Sequence, residues 1–456
     1  MKSIIKNWMK ETPIPIRDAT ESLFYLLPPA WRYGKSYVEA LNFFEQTETW
    51  SEEQYRAYQN LKLRQLIYHV YENVPYYRQI FDDRSLRPSD IATVEDLPKL
   101  PFLTKDVARE RLNDLLASDI KSRKTEFWHT SGTSDAPLKL VLDKTTVAWE
   151  RAEAMRRLLW LGYMKGNRLA IVRGAPLTDP EKIYKYLSLN RELRISLMRS
   201  DEKSLFIAAS ELKKFEPDFI TGWPSSIFLL ASWMKRNGFR IPTPKYVLTS
   251  SENLFPHYKR EIEAVFGARV IDSYGQNELV ATAVQCSHAK GYHTVMEMGI
   301  IELIPHKEPF YEIVGTSFCN PSMPLIRYRT GDLAIPSALP CICGRASTSL
   351  AAIFGKTSDL VLKVGGEDLM TNEPHLALYQ FEEIREAQII TDGDDRIRVL
   401  VVPWQTISEE SVTRLKSHMA DVLGIKPDRL TVECVSEIMG NPGGKKQFVV
   451  ARSRDL

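Results

Sequence analysis

Hydrophobic and polar positions change their period several times along the chain, and those changes divide it. Between residues 51 and 77 the apolar positions Leu61, Leu63, Leu66, Ile67, Val70 and Tyr71 recur at helical spacing. Ser51 stands ahead of Glu52 and Glu53 as a helix cap with acidic residues in the first turn, and Val74-Pro75-Tyr76-Tyr77 breaks the run. The first 100 residues therefore read as helical, closed by the proline-punctuated connector Leu97-Pro98-Lys99-Leu100-Pro101-Phe102. From about 125 to 335 short apolar runs alternate with helical patterns. The predicted strands are Leu169–Val172, Phe219–Thr221, Tyr246–Thr249 and Val270–Asp272, and the predicted helices are Thr146–Leu161, Lys203–Phe215, Ser225–Arg236 and Pro256–Phe266. Such alternation implies parallel strands with crossover helices, an open α/β sheet whose ligands sit beyond the carboxyl ends of the strands. Three polar clusters fall at such ends: Thr221-Gly222-Trp223-Pro224, Ser250-Ser251-Glu252 and Ser273-Tyr274-Gly275-Gln276-Asn277-Glu278. Each is a βα turn on its own; three in one sheet point to a shared crevice.

Near 299–335 the pattern turns to closely spaced strand signals, Ile300–Ile304, Glu312–Phe318 and Leu325–Tyr328, and predicts a small antiparallel or barrel-like subdomain. After Gly355 a final segment carries its own set, the strands Ala387–Ile390, Ile397–Val402 and Leu430–Val435 with a helix at Glu409–Leu423. The expected architecture is thus α/β: a large N-terminal domain over 1–354, with parallel-rich sheets and a small β subdomain, followed by a small mobile α+β lid domain over 355–456.

Composition narrows the function classes. A chain of 456 residues with 44% hydrophobic and 26% charged residues is an ordinary globular composition, and a net charge of +2 gives no reason to invoke nucleic acid. No apolar run approaches the roughly 18 residues that span a bilayer. Lys2, Lys6 and Lys10 are not followed by an uninterrupted apolar core for export, and five cysteines argue for a reducing compartment, the cytoplasm by default. Ile4, Ile5, Trp8 and Met9 share one helical face opposite those lysines, so this segment either docks on its own protein or makes weak contact with a membrane surface. Self-association as a homodimer is left open.

The chemistry is expected at Thr130-Ser131-Gly132-Thr133-Ser134-Asp135-Ala136-Pro137, between Phe127-Trp128-His129 and the β-prone Leu138-Lys139-Leu140-Val141-Leu142. Four hydroxyls crowd one glycine, which serves either a polar hairpin turn or a phosphate-binding loop. In Arg327-Tyr328-Arg329-Thr330-Gly331-Asp332 a strand ending in a tight turn presents a carboxylate, either to take both hydroxyls of a ribose or to pair with a neighbouring arginine. Cys341-x-Cys343 with Cys286-Ser287-His288 and Gly291-Tyr292-His293 offers three thiolates and an imidazole for tetrahedral Zn²⁺, against unconnected reduced thiols. Cys319 and Cys434 read as buried apolar fillers, and His129 as structural. Trp223, Pro224, Ser250 and Tyr274 are candidates to line a pocket for an organic acid.

These motifs, taken in order, resemble the adenylate-forming superfamily: the Thr130–Pro137 loop, Tyr274-Gly275-Gln276-Asn277-Glu278, Tyr328-Arg329-Thr330-Gly331-Asp332, and Gly443-Gly444-Lys445 near the C-terminus. Within it the chain most resembles the phenylacetate–CoA ligases and CapK-type capsule-biosynthesis proteins, through His69-Val70-Tyr71-Glu72-Asn73-Val74-Pro75-Tyr76-Tyr77-Arg78, Ser322-Met323-Pro324-Leu325-Ile326-Arg327-Tyr328 and Cys341-Ile342-Cys343-Gly344-Arg345. The resemblance implies an ATP-dependent, AMP-forming acid ligase: a carboxylate attacks the α-phosphorus of ATP, and a thiol such as CoA then displaces AMP. Thr130, Ser131, Gly132, Thr133 and Ser134 would hold the β- and γ-phosphates, Glu278 would bind Mg²⁺, Asp332 the ribose, and Tyr274 would stack near the adenine. Ser251, Glu252, Gly275, Asn277 and Arg345 join the nucleotide-binding set. Lys445 would swing in on the mobile domain to neutralise the α-phosphate and acyl oxygen. The family pattern of a histidine seven positions after a cysteine favours His293 over His288 as the fourth zinc ligand, with Cys286, Cys341 and Cys343.

Four positions depart from the family: Asp135 for glycine, Asn277 for threonine, Lys356 for arginine and Ser358 for the hinge aspartate. Asp135, Asn277 and Ser358 keep in view a non-catalytic nucleotide-binding protein, and a role in polysaccharide biosynthesis would call for an acyl-adenylate former that delivers to an amine, hydroxyl or carrier protein.

Overall fold

The architecture is that of a computed structural model, which describes residues 23–24, 27–130, 137–288, 290–356, 361–364, 367–391, 396–440 and 444–451. The amphipathic segment at 4–9, the loop residues Ser131–Ala136, the hinge position Ser358 and Gly443 lie outside those residues. The helix Glu52–Asn73 starts where the capping pattern places it: Gln54 N donates to Ser51 Oγ at 3.3 Å and Ser51 N to Gln54 Oε1 at 2.9 Å. Pro75 then opens a second helix, Pro75–Asp83. Leu63, Ile67, Val70 and Val74 bury their face against Ile313, Leu325 and Tyr328, so the helical preface covers one end of the main sheet.

A hairpin of β1 (Thr125–His129) and β2 (Lys139–Asp143) flanks the loop at 130–137. Twelve strands follow in one sheet: β3 (Leu169–Arg173), β4 (Tyr184–Leu187), β5 (Glu192–Ser196), β6 (Phe219–Gly222), β7 (Tyr246–Ser250), β8 (Arg269–Gly275), β9 (Thr282–Val284), β10 (Tyr292–Thr294), β11 (Gly299–Pro305), β12 (Tyr311–Ser317), β13 (Tyr328–Pro336) and β14 (Ser349–Lys356). Their order is β11-β12-β13-β14-β10-β9-β8-β7-β6-β3-β5-β4. From β8 to β5 neighbours are parallel, with the helices Glu202–Phe215, Pro224–Arg236 and Pro256–Phe266 as crossovers. The closely spaced strands β11 to β14 are hydrogen-bonded to the same sheet as its antiparallel end.

One expected strand is displaced. Leu325–Tyr328 is not extended; Arg327 takes φ +52° and β13 begins at Tyr328, running through Gly331 and Asp332 to Pro336. The reason is tertiary. The Arg327 guanidinium is held by Glu302 at 2.8–3.1 Å and by the Leu100 carbonyl at 2.6 Å, which turns the backbone there. Asp332 therefore sits within a strand, at a register irregularity opposite Lys356, and not on a tight turn at its end.

The C-terminal part pairs β15 (Val361–Val364) with β16 (Glu367–Met370) and builds a four-stranded sheet, β19-β18-β17-β20, from β17 (Ile384–Thr391), β18 (Ile397–Pro403), β19 (Leu430–Cys434) and β20 (Val449–Ala451). The helix Glu409–Leu423 covers it with Leu415, Met419 and Leu423, an apolar core separate from that of the main sheet. Cys434 corrects one expectation. It is exposed, because it ends an edge strand of this small sheet, whereas Cys319 is buried as expected.

Candidate active site

Three polar clusters were expected at strand ends, and the sheet brings them to one edge because β6, β7 and β8 are parallel neighbours. They line a cleft of about 540 Å³ between the main sheet and the C-terminal domain, together with Thr130, Asp332 and Lys445. Of the expected site residues, Thr130, Ser251, Glu252, Tyr274, Gly275, Asn277, Glu278, Asp332 and Lys445 all line it, whereas Ser131, Gly132, Thr133 and Ser134 lie outside the described residues.

Tyr274 and Asp332 form its firmest pair. The phenol donates to Asp332 Oδ2 at 2.6 Å, and Gln276 Nε2 donates to the same hydroxyl at 3.2 Å. Burial, and then the Asp332 charge, raise the Tyr274 pKa well above its ordinary value, so it stays a donor. Arg327 and Arg329 are committed to Glu302 on β11 and Glu312 on β12. Glu278 is 8% exposed and accepts from Tyr328 Oη at 3.2 Å, leaving carboxylate oxygen toward the cleft. Asn277, on the open side, donates to the His129 carbonyl at 2.8 Å and so ties this loop to the hairpin carrying Thr130. Thr130 Oγ1 in turn accepts from Leu138 N at 2.9 Å.

Lys445 arrives from the C-terminal domain. Its ammonium donates to the Ser251 carbonyl at 2.8 Å and lies 5.8 Å from the centre of the Trp223 ring. Ser251 holds φ +76°, a left-handed conformation disfavoured for serine, which turns that carbonyl toward the lysine. The approach depends on two glycines: a Cβ on Gly444 would lie 2.0 Å from the Gly174 carbonyl oxygen, and Gly444 itself has φ +85°. Glu252, beside Lys445, accepts from Ser225 N at 3.2 Å and Ser225 Oγ at 2.6 Å, satisfying a donor at the start of the helix Pro224–Arg236. Burial raises its pKa, opposed by Ser225 and by Lys445.

Arg345 is not in the cleft, which corrects its expected role. Its guanidinium stacks on Trp160, 4.1 Å from the ring centre, and reaches Glu48 at 3.5 Å, beside the neighbouring thiols. There Cys286, His293, Cys341 and Cys343 meet, with their ligand atoms all within 4.8 Å of one another. Cys286 Sγ lies 3.7 Å from Cys341 Sγ, and Cys343 Sγ lies 3.3 Å from His293 Nε2. The other ring nitrogen, Nδ1, faces Ser347 Oγ at 3.1 Å. Burial, then Arg345 and Arg156, push the His293 pKa down to about 4, so the imidazole is neutral, the form that binds metal. His288 is not part of the set.

Sequence reasoning missed the groups beneath the cleft. Asp272 is fully inside the sheet, accepting from Thr249 Oγ1 and from Tyr292 Oη at 2.7 Å, with burial raising its pKa to about 6. Arg157 donates to Ser273 Oγ at 3.0 Å and to Glu153, bracing the strand end that carries Tyr274. A charged residue inside a strand signal was the one available sign for Asp272.

The chain matches no family model. It is 24% identical over 436 residues to protein CapK of Staphylococcus aureus, covering 92% of this chain and 93% of that protein. It is 26% identical over 371 residues to the phenylacetate–coenzyme A ligase of Pseudomonas putida, covering 78% and 83% respectively. A 2-hydroxyisobutyryl-CoA ligase, solved in its postadenylation state with 2-HIB-AMP, superposes with a TM-score of 0.68 at 19% identity over 90% of this chain and 92% of that one. The fold is therefore that of the AMP-forming acyl-CoA ligases. In sequence the chain is similar to CapK and to the phenylacetate–CoA ligases, the branch of the adenylate-forming superfamily that its motifs resemble.

Proposed function

We propose that this protein is an ATP-dependent ligase that converts a carboxylic acid to its acyl-adenylate and then to a CoA thioester. The observation that carries the reading is the meeting of Glu278, the Tyr274–Asp332 pair and Lys445 in one cleft from three distant parts of the chain. In the first step a carboxylate oxygen bonds to the α-phosphorus of ATP, the bond to the β-phosphate oxygen breaks, and pyrophosphate leaves. Charge then grows on oxygens around phosphorus, so the protein contributes by position and electrostatics. Asp332, fixed by Tyr274, accepts the ribose hydroxyls. Lys445 transfers its ammonium from the Ser251 carbonyl to the α-phosphate and the attacking carboxylate. Glu278 is a hard oxygen ligand suited to Mg²⁺, which neutralises phosphate charge when bound. In the second step the CoA thiolate attacks the acyl carbon and AMP leaves with the electron pair of the C–O bond.

The reading is tested by acid-dependent exchange of labelled pyrophosphate into ATP over an acid panel, with Lys445→Ala as control. Exchange followed by CoA consumption supports it. No exchange with any acid, while ATP binds normally, overturns it and leaves a nucleotide-binding protein. Exchange without CoA consumption moves the second step to an amine, hydroxyl or carrier-protein acceptor, a reading kept in view by the extended match to CapK.

The thiol cluster we assign to structural Zn²⁺. Arms of about 2.1–2.3 Å give a tetrahedron with edges of about 3.5–3.8 Å, close to the separations present here. Four protein ligands leave no open position for chemistry. With all five cysteines free of disulfides and no described helix long and apolar enough to cross a membrane, we place the protein in the reducing cytoplasm.

A further inference from the structure

Placing the nucleotide leaves half of the cleft unassigned. The residues proposed for ATP come from the ends of β7 and β8, from β13 and from Lys445. The ends of the adjoining parallel strands β6, β3 and β5 also open into the cavity, and they contribute Trp223, then Arg173 and Gly174, then Leu197. Phe228 and Leu229, from the helix Pro224–Arg236, complete this side. Trp223, Leu197, Phe228 and Leu229 are each at most 9% exposed, so the wall is apolar and firmly packed.

Arg173 is the charged group in this apolar half. It ends β3 at the carboxyl edge of the sheet, where an open α/β fold places ligands. Its guanidinium makes no hydrogen bond or ion pair with any described residue. The other cations lining the cleft are engaged: Lys446 and Arg385 with Glu386, and Lys445 with the Ser251 carbonyl. Of the carboxylates near Arg173, Glu192 is bound to Arg194 at 2.6 Å, and Glu150 stands outside ion-pair distance. The Arg173 side chain is exposed to solvent and so is accessible to a ligand entering the cleft; desolvation, and then the Arg194 charge, hold its pKa below the ordinary value.

On the reading of this cleft as an acid-activating site, we propose that Arg173 selects an acid whose far end bears a second anionic group, such as a dicarboxylic acid with an apolar middle. One carboxylate reacts at Lys445 while the apolar body lies against Trp223, Leu197 and Phe228. The second carboxylate meets the guanidinium, whose fork of donors matches it.

The test compares acids matched in shape, terephthalate with benzoate and adipate with hexanoate, in pyrophosphate exchange without CoA. Wild type is expected to favour the dianion. Arg173→Gln should raise KM for the dianion by about 10- to 100-fold while leaving KM for ATP and for the monoanion unchanged, and Arg173→Lys should restore part of the loss. Equal losses for both acids would put Arg173 at the reacting carboxylate and overturn the proposal. A rise confined to KM for ATP, or an effect seen only when CoA is added, would assign the guanidinium to phosphate and overturn it too. Titration calorimetry with terephthalate and benzoate separates this from failure of the ligase reading. If no acid supports exchange, the ligase reading falls, but tighter terephthalate binding that Arg173→Gln abolishes still sustains the anion site. Equal binding of the two acids by wild type would refute it.

Discussion

The half of the cleft proposed for the nucleotide and the Cys/His cluster lie on neighbouring strands of one sheet and are held together in opposite ways. The cluster closes on itself: its four side chains come from residues 286 to 343, all within the large domain, with their potential ligand atoms within 4.8 Å of one another. The cleft is open, and its lysine reaches it across a seam between two separately packed cores. Asp272 and Tyr292 tie the two regions, because Tyr292, which donates to the carboxylate beneath Tyr274, is next in sequence to His293. The contrast teaches a division of labour. A closed ligand set contributes to stability whatever the domains do, whereas an open set works only while the domains are docked.

The largest expected effect breaks the open site alone. Lys445→Ala should lower pyrophosphate exchange by about 100- to 1000-fold with the melting temperature unchanged. Gly444→Ala tests whether the seam matters beyond the lysine itself. Its Cβ would fall 2.0 Å from the Gly174 carbonyl oxygen, so the loop must shift, and exchange should drop about 10- to 100-fold although Lys445 is intact. Activity equal to wild type would show that the loop yields without moving the ammonium. Asp332→Asn, which keeps the shape but loses the charged acceptor, should raise KM for ATP about 10-fold.

At the closed site the order of effects should reverse. Cys341→Ser is expected to abolish zinc stoichiometry and lower the melting temperature by about 5 °C or more, while exchange per folded molecule stays near wild type. Metal-free wild-type protein with an unchanged melt would remove the zinc assignment.

The smallest effect concerns docking and pH. His257 of the large domain and His375 of the helix Asn372–Leu378 approach at 3.2 Å between ring nitrogens, with His375 stacked on Phe255 at 3.7 Å and beside Phe448. Tyr258, Tyr379 and Arg260 are the other titratable or charged groups facing them. Burial lowers both histidines, His257 to about 4 and His375 well below its ordinary value. The undocked state, titrating near the ordinary value of about 6.5, binds protons first as pH falls. Docking should therefore be full above about pH 6.5 and weaken toward pH 4, seen as faster proteolysis in the segment joining the domains at pH 5 than at pH 7.5. Replacing His375 by leucine should flatten that dependence.

Much of this was legible in the chain. Parallel strands with crossover helices follow from apolar runs that alternate with helical stretches, and the helices Pro256–Phe266 and Glu409–Leu423 fall where the pattern places them. The strand ends carrying Ser251, Glu252, Tyr274 and Glu278 were visible because polar clusters interrupt apolar runs at a regular point in each βα unit. β4, β9 and β10 were not foreseen because three or four residues are too few to show a period, and β5 and β14 were not foreseen either. Arg345 was misplaced because its motif fixes sequence neighbours and says nothing of which side of the sheet a loop falls on.

By itself the sequence determined what is local: helix caps, turn chemistry, the α/β alternation, the ligand types at 286, 293, 341 and 343, and the residues fit to hold a nucleotide. Only the tertiary structure decided which of them meet. It ran β13 through Asp332 because Glu302 holds Arg327, sent Arg345 to Trp160, and set Arg173, unpaired among the described residues, beside an apolar wall. Those outcomes rest on packing between distant segments, where burial and charge pairing are settled by neighbours that no short stretch of the chain contains.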